Sequence, residues 1–272
     1  IRRPPRSTLS SSSAASDVYK RQILITNDDG IFSDGIFALW QALSTIGETL
    51  VVAPNQERSA SSHSITLNDP IRTQHIEIKK GFNGWSVNGT PADCVKIAVR
   101  TISDNLPDLV VSGINHGSNL GKNVLYSGTV SAAAEGTMLG VPSIAISLAS
   151  NKADDFNLSK RTAIEIAKFA IERKLPQGTF LNVNIPSCRT NEVKGKKITK
   201  QGNQRFDDYY EERMDPRKRS YYWIKGDIVD PDTTYEYDGK AVEDNYISIT
   251  PMQLTLTNEK YISKIKNYFL DE

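Results

Sequence analysis

Cysteine is scarce in this chain. Cys94 and Cys188 are the only two in 272 residues, too few for a disulfide framework and too isolated for zinc, so a reducing, cytoplasmic setting is expected. Three histidines, His63, His75 and His116, leave little scope for a histidine-rich metal cluster. No apolar run approaches the roughly 20 residues needed to span a bilayer, so no membrane partner is expected. A strong charge of one sign is also missing. The net charge is +1, but residues 1–22 hold Arg2, Arg3, Arg6, Lys20 and Arg21 against the single acid Asp17, and without that segment the balance is −3. A mildly acidic body with no basic stripe argues against a nucleic-acid polymer as partner, though not against a single nucleotide.

The basic, serine-rich residues 1–22 lack both an initiating Met and the apolar stretch of a secretory signal. They read as a disordered, non-native leader outside the fold. The remainder of the chain is long enough for one large core or two modest ones.

The most informative stretch is Ile23-Leu-Ile-Thr26-Asn27-Asp28-Asp29-Gly30. Four apolar or β-branched residues suit a strand buried on both faces, and Gly30 permits a sharp exit. From Gly35 the apolar residues Ile36, Phe37, Leu39, Trp40, Leu43 and Ile46 recur at helical spacing, Gly47 stops them, and Thr49 to Ala53 supply the next strand. This is a βαβ unit, and ligands of open parallel sheets bind outside the strands' carboxyl ends, where Asp28 and Asp29 fall. Asn-Asp-Asp-Gly is also ordinary turn chemistry, and a solvated acidic turn needs no metal. Successive strand residues face opposite ways, so both acids can meet one ion only if the backbone bends beside them. An EF-hand is excluded, since its alternate acidic positions and distal glutamate are missing.

A second strand, expected over Pro107 to Ser112, runs into the Gly- and Asn-rich segment Gly113-Ile-Asn115-His-Gly117-Ser-Asn119-Leu-Gly121-Lys-Asn123. Such a loop can offer backbone N–H groups and amides to an anion. Tyr126-Ser127-Gly128-Thr129 then precedes an alanine-rich helix. Ser127 or Thr129 would cap it, and its N-terminus suits a phosphate, although Ser-Gly-Thr also reads simply as a cap. The polar loop Ala53-Pro54 to Ser64 could add hydroxyl ligands or be merely solvated. Thr90-Pro91-Ala92-Asp93 reads as a capping box, and Cys94 as core packing, with no histidine implicated as its base. Leu158 to Lys174 fits an amphipathic helix and Thr179 to Ile185 a strand. Arg205 to Asp244 is charged and rich in tyrosine, a composition that favours an interface. A terminal helix over Asn258 to Phe269 is expected to close the fold.

Asn27-Asp28-Asp29-Gly30, Ala53-Pro54 to Ser59, Gly89-Thr90-Pro91, Ser112-Gly113-Ile114-Asn115 with Asn119-Leu120-Gly121, Tyr126-Ser127-Gly128-Thr129 and Tyr246 to Pro251 together resemble, in order, the survival protein E (SurE) family of nucleotidases. Two features depart from that pattern: the leader, and Ile31-Phe32-Ser33-Asp34, which stands where a His-Ala-Pro type of sequence is more usual and touches the rim of the site.

The resemblance implies a Rossmann-like α/β three-layer sandwich with a mainly parallel sheet. Residues 23–195 would form the catalytic core, 196–257 a smaller C-terminal β-rich extension with an oligomerisation arm, and 258–272 a C-terminal helix. It implies a phosphomonoesterase acting on nucleoside 5′- and 3′-monophosphates and on short-chain polyphosphate. One divalent cation per subunit, Mg²⁺ or Mn²⁺, would be held by Asp28, Asp29, Ser59 and Asn115, with Asp28 and Asp29 also catalytic. Asn119, Ser127, Gly128 and Thr129 would hold the phosphate, and the arm implies a homodimer or homotetramer. The alternatives are a hydrolase of another phosphorylated metabolite and a non-catalytic nucleotide-binding stress protein.

Overall fold

The computed structural model describes residues 21–150 and 155–270, so the expected leader lies outside the described residues except at its last two positions. Strand β1 (Gln22–Thr26) lies in the interior of the main sheet. It pairs in parallel with β2 (Glu48–Pro54) on one side and with β5 (Leu109–His116) on the other. The βαβ unit read from the sequence is present: α1 (Asp34–Leu43) joins β1 to β2, capped by Ser33, whose hydroxyl accepts from the Ile36 N–H at 3.4 Å.

Beyond β2 lie β4 (Phe82–Val87) and the edge strand β3 (Thr73–Lys79). Helix α2 (Pro91–Ile97) carries the Thr90–Asp93 capping box and continues as a wider turn over Ala98–Ile102 into β5. After β5 the chain forms α3 (Gly128–Met138), β6 (Ser143–Leu148), α4 (Asn157–Arg173) and β7 (Thr179–Ile185). The nine-stranded sheet is completed by β8 (Lys196–Ile198) and β11 (Ile247–Gln253), in the order β3-β4-β2-β1-β5-β6-β7-β11-β8.

Helices cover both faces, because alternate residues of each buried strand enter different cores. Ile23 and Ile25 pack with Leu39 and Ile166 beneath α1 and α4, whereas Leu24 packs with Cys94 and Ala132 beneath α2 and α3. This is the three-layer α/β sandwich that the resemblance implies. The close approach of α1 to the sheet requires Gly35, where an added Cβ would lie 2.0 Å from the Ile114 carbonyl oxygen.

The sequence placed the end of the second strand at Ser112, but β5 continues to His116 through an irregularity. Ser112 pairs with Ala145 and Asn115 with Ser147, so three steps on β5 match two on β6. A bulge of this kind reverses the alternation. Leu109 and Val111 face the α1/α4 core, and Ile114, of opposite parity, faces it too.

The tyrosine-rich segment forms a two-stranded antiparallel hairpin, β9 (Arg205–Met214) with β10 (Ser220–Val229), exposed along its length. The short α5 (Asp238–Glu243) leads back to β11. The last helix, α6 (Glu259–Phe269), ends the fold where the sequence placed it, but it has no buried residue, and Tyr261, Ile265, Tyr268 and Phe269 remain exposed.

Candidate active site

β1 and β5 are neighbours whose onward connections lead to opposite sides of the sheet, through α1 toward β2 and through α3 toward β6. Their carboxyl ends therefore flank a topological switch point, the usual ligand crevice of such sheets. The Asn27 amide donates to the Gly30 carbonyl at 3.0 Å and to the Ser33 hydroxyl at 2.8 Å, closing the turn after β1. Gly30, at φ +94°, passes beneath the Gln56 backbone, where a Cβ would meet the Gln56 carbonyl carbon at 3.1 Å.

The bend sends the two acids to different partners. Asp28 is buried and accepts from the Thr129 N–H at 3.0 Å and from the Thr129 hydroxyl, so its carboxylate sits on the N-terminus of α3. Asp29, half-buried, accepts from the His116 N–H at 3.2 Å, with the His116 ring Nδ1 at 3.4 Å. The pair thus spans the gap between α3 and the end of β5. The Arg58 N–H donates to the Asp28 carbonyl at 2.7 Å and ties the loop after β2 to the same point.

Asn115, also singled out by sequence, is buried at the end of β5 and donates its amide nitrogen to the Gly117 carbonyl at 2.7 Å, which leaves the amide oxygen as its ligand-capable atom. Ser127 is the cap of α3, accepting from the Val130 N–H at 3.1 Å; Thr129 serves instead to hold Asp28. Gly128 packs directly on the acid, with Asp28 Cβ 2.8 Å from where its own Cβ would be. Ser59 is exposed, and its hydroxyl donates to Glu57 at 2.5 Å. Asn119 turns inward, its amide nitrogen donating to the Ser147 hydroxyl at 2.8 Å.

Burial shapes the electrostatics. It raises the Asp28 carboxyl from 3.8 to about 6, the Thr129 hydrogen bond opposing and the Asp29 charge adding to the effect. Asp29 is also raised by burial, opposed by His116. Two adjacent carboxylates held above their ordinary range are what a divalent cation would relieve, and the remaining donors, an amide and hydroxyls, are oxygen atoms suited to a hard ion. Among the described residues no group of three or more His, Cys, Asp or Glu is gathered for a metal. A cation here would therefore depend on neutral oxygens to complete its shell, and the residues present fit that need.

A family model described as "Survival protein SurE" matches residues 23–208. The chain belongs to the SurE family. A relative from Alkaliphilus metalliredigens named 5′-nucleotidase SurE is 45% identical over 253 residues, covering 92% of this chain and 100% of the relative. Another of that name, from Thermosipho africanus, is 42% identical over 250 residues, covering 92% of this chain and 98% of its own length. The crystal structure of the SurE protein from Aquifex aeolicus superposes with a TM-score of 0.79 at 40% identity, over 92% of this chain and all of that one.

Sequence reasoning missed three supporting features of this SurE-family site. His116, directly after Asn115, is the partner of Asp29. Asn182 and Asn184 on β7 donate to the Asn119 carbonyl at 2.8 and 3.0 Å, while the Asn184 oxygen accepts from the Asn119 N–H at 2.8 Å. Glu135 of α3, buried, binds His63 at 2.8 Å and Lys96 at 2.9 Å, anchoring the loop that carries Ser59. Two amides in an otherwise apolar strand were the available signal for the Asn119 clamp.

Proposed function

We propose that this protein is a divalent-metal-dependent phosphomonoesterase that hydrolyses nucleoside 5′- and 3′-monophosphates to nucleoside and phosphate. The observation that carries the reading is the meeting of an acid pair with the N-terminus of an eleven-residue helix at a sheet switch point. The relatives' name, 5′-nucleotidase, supports the same reaction.

Asp28, Asp29, Ser59 and Asn115 would hold one Mg²⁺ or Mn²⁺, and the bound ion would supply electrophilic pull on the phosphoryl oxygens and acidify the attacking water. The chain's own groups do the rest. The first turn of α3 would turn its dipole and the Gly128 N–H toward the phosphoryl oxygens as charge develops, while the Thr129 N–H and hydroxyl keep Asp28 in place. Asp29, buttressed by His116, would orient the attacking water or take its proton at a carboxylate oxygen, with Asp28 as the alternative. No phosphoenzyme is needed.

Phosphate release from a panel of nucleoside 5′- and 3′-monophosphates and tripolyphosphate, with Mg²⁺, Mn²⁺ or EDTA, tests the reading. Metal-dependent release by wild type, lowered at least about a hundredfold in Asp28→Asn, is expected. Silence of folded, metal-loaded protein toward every nucleotide would move the reading to another phosphoester or to a binding role.

The hairpin β9/β10 supports a homodimer or homotetramer, because Tyr209, Tyr210, Tyr222 and Trp223 are all exposed on it. Sedimentation of the full chain as an active monomer would reject that assembly.

A further inference from the structure

Three loops are hydrogen-bonded to one another beside the acid pair, through Arg58 to Asp28, Ile31 to Pro54 and Ser62 to Tyr126, and each carries exposed apolar side chains that neither the fold nor the chemistry uses. The turn after β1 presents Phe32, 63% exposed; the segment before α3 presents Leu125 and Tyr126, 61% and 64% exposed; the loop after β2 adds Ile65 and Leu67. A single exposed aromatic residue is ordinary, but exposed apolar side chains on three loops joined beside one acid pair are not.

The backbones beneath the two rings are pinned. Ile31 is buried and donates its N–H to the Pro54 carbonyl at 2.8 Å, and the Ser33 N–H closes the turn on Gly30 at 3.1 Å. Tyr126 donates to the Asn123 carbonyl at 3.0 Å, and its own carbonyl accepts from Ser62 N–H at 3.0 Å. Each ring is therefore presented by a fixed support while its own surface stays open. Phe32 is three residues past Asp29, and Tyr126 three before Thr129, which holds Asp28, so each backbone lies within about 10 Å of the acid pair or its holder. That is the reach from a bound phosphoryl group to the base of the same nucleotide.

We propose that Phe32 and Tyr126 form the nucleobase platform of this site, stacking the purine or pyrimidine ring of a nucleotide whose phosphate lies at Asp28 and Asp29. The assignment rests on the phosphomonoesterase reading and adds to it the group that selects nucleotides over other phosphoesters. Aromatic faces accept any base, so the platform favours nucleotides as a class with little choice among bases.

The test compares kcat/KM for adenosine 5′-monophosphate with that for ribose 5-phosphate, which lacks a base, in wild type, Phe32→Ala and Tyr126→Ala. The ratio is expected to fall five- to a hundredfold in each variant, the range of a lost base–aromatic stack. Phe32→Trp should restore it, and its added fluorescence should be quenched by adenosine 5′-monophosphate but not by ribose 5-phosphate. A ratio within twofold of wild type in either alanine variant overturns the assignment of that ring. Altered sedimentation of the variants with an unchanged ratio would make the rings a subunit contact and overturn the proposal. Wild type that hydrolyses neither ester would instead sink the phosphomonoesterase reading, so the two failures are distinguishable.

Discussion

Asp28 gives the protein a measurable conflict between stability and function. Burial lifts its carboxyl from 3.8 to about 6. Below pH 3.8 the group is protonated in both folded and unfolded chains and contributes nothing. Between 3.8 and about 6 the unfolded chain releases the proton while the folded one keeps it, so stability falls as pH rises. At 1.36 kcal/mol per pH unit the loss reaches about 3 kcal/mol and stays constant at higher pH. Asp28→Asn removes this penalty and keeps the local bonding, since the amide oxygen can accept from the Thr129 N–H while its NH₂ donates to the rotatable Thr129 hydroxyl. Metal-free Asp28→Asn should therefore be more stable than wild type at pH 8 by about 1–3 kcal/mol, roughly 2–10 °C in Tm for a chain of this size, with the gap closing at pH 4. Urea and thermal unfolding in EDTA across pH 4–8 measure it. Adding Mn²⁺ to about a thousand times Kd should reverse the order, because only wild type binds the ion well and such saturation stabilises it by about 4.1 kcal/mol. A variant less stable than wild type throughout, or an offset that ignores pH, would refute the reasoning.

Three further outcomes are expected. Gly128→Ala forces a methyl group to within 2.8 Å of Asp28 Cβ and 2.9 Å of the Ser61 hydroxyl; it should cost about 1–3 kcal/mol in denaturant unfolding and lower kcat/KM, whereas unchanged turnover would show that α3 tolerates movement. Asn184→Leu leaves the Asn119 N–H without its buried acceptor, and a loss of about 1–3 kcal/mol should appear together with faster amide exchange at residues 117–121; protection equal to wild type would show that the clamp is idle. Cys94 is fully buried with its thiol raised well above the ordinary range by burial and by Asp93, so iodoacetamide should modify Cys188 and spare Cys94 in native protein, as mass spectrometry would reveal.

The sandwich was legible because its signals are local. Ile23 to Thr26, the 3.6-residue spacing from Ile36 to Leu43 and the Thr90–Asp93 box each declare their element without help from distant residues. The position of the acid pair was legible because the apolar strand ends at Thr26, but Asn-Asp-Asp-Gly by itself reads equally as a turn, and only the accompanying motifs single it out. What stayed hidden depends on contacts between residues far apart in the chain. His116 meets Asp29 across 87 positions, and Asn184 meets Asn119 across 65. The end of β5 was misplaced because Gly113 and Asn115 read as loop formers, while renewed pairing of Asn115 and His116 with β6 carries the strand past the irregularity. α6 lies where the sequence placed it, but its exposure could not be read from the sequence, because it depends on what distant residues leave uncovered.

The irregularity in β5 makes the length of the chain between Ser112 and Asn115 part of the site's definition. Strand residues alternate, so orientation there is a matter of odd and even. Removing one residue would restore regular pairing with β6 and leave composition nearly unchanged, yet it would exchange the faces of every side chain on one side of the cut. Either Ile114 would leave the core it shares with α1, or Asn115 would turn away from the crevice. Substitution can drift at this strand end, but insertion and deletion cannot. Related chains that retain the acid pair should therefore keep the spacing from the last regular core residue, Val111, to Asn115 constant even where the residues between them differ.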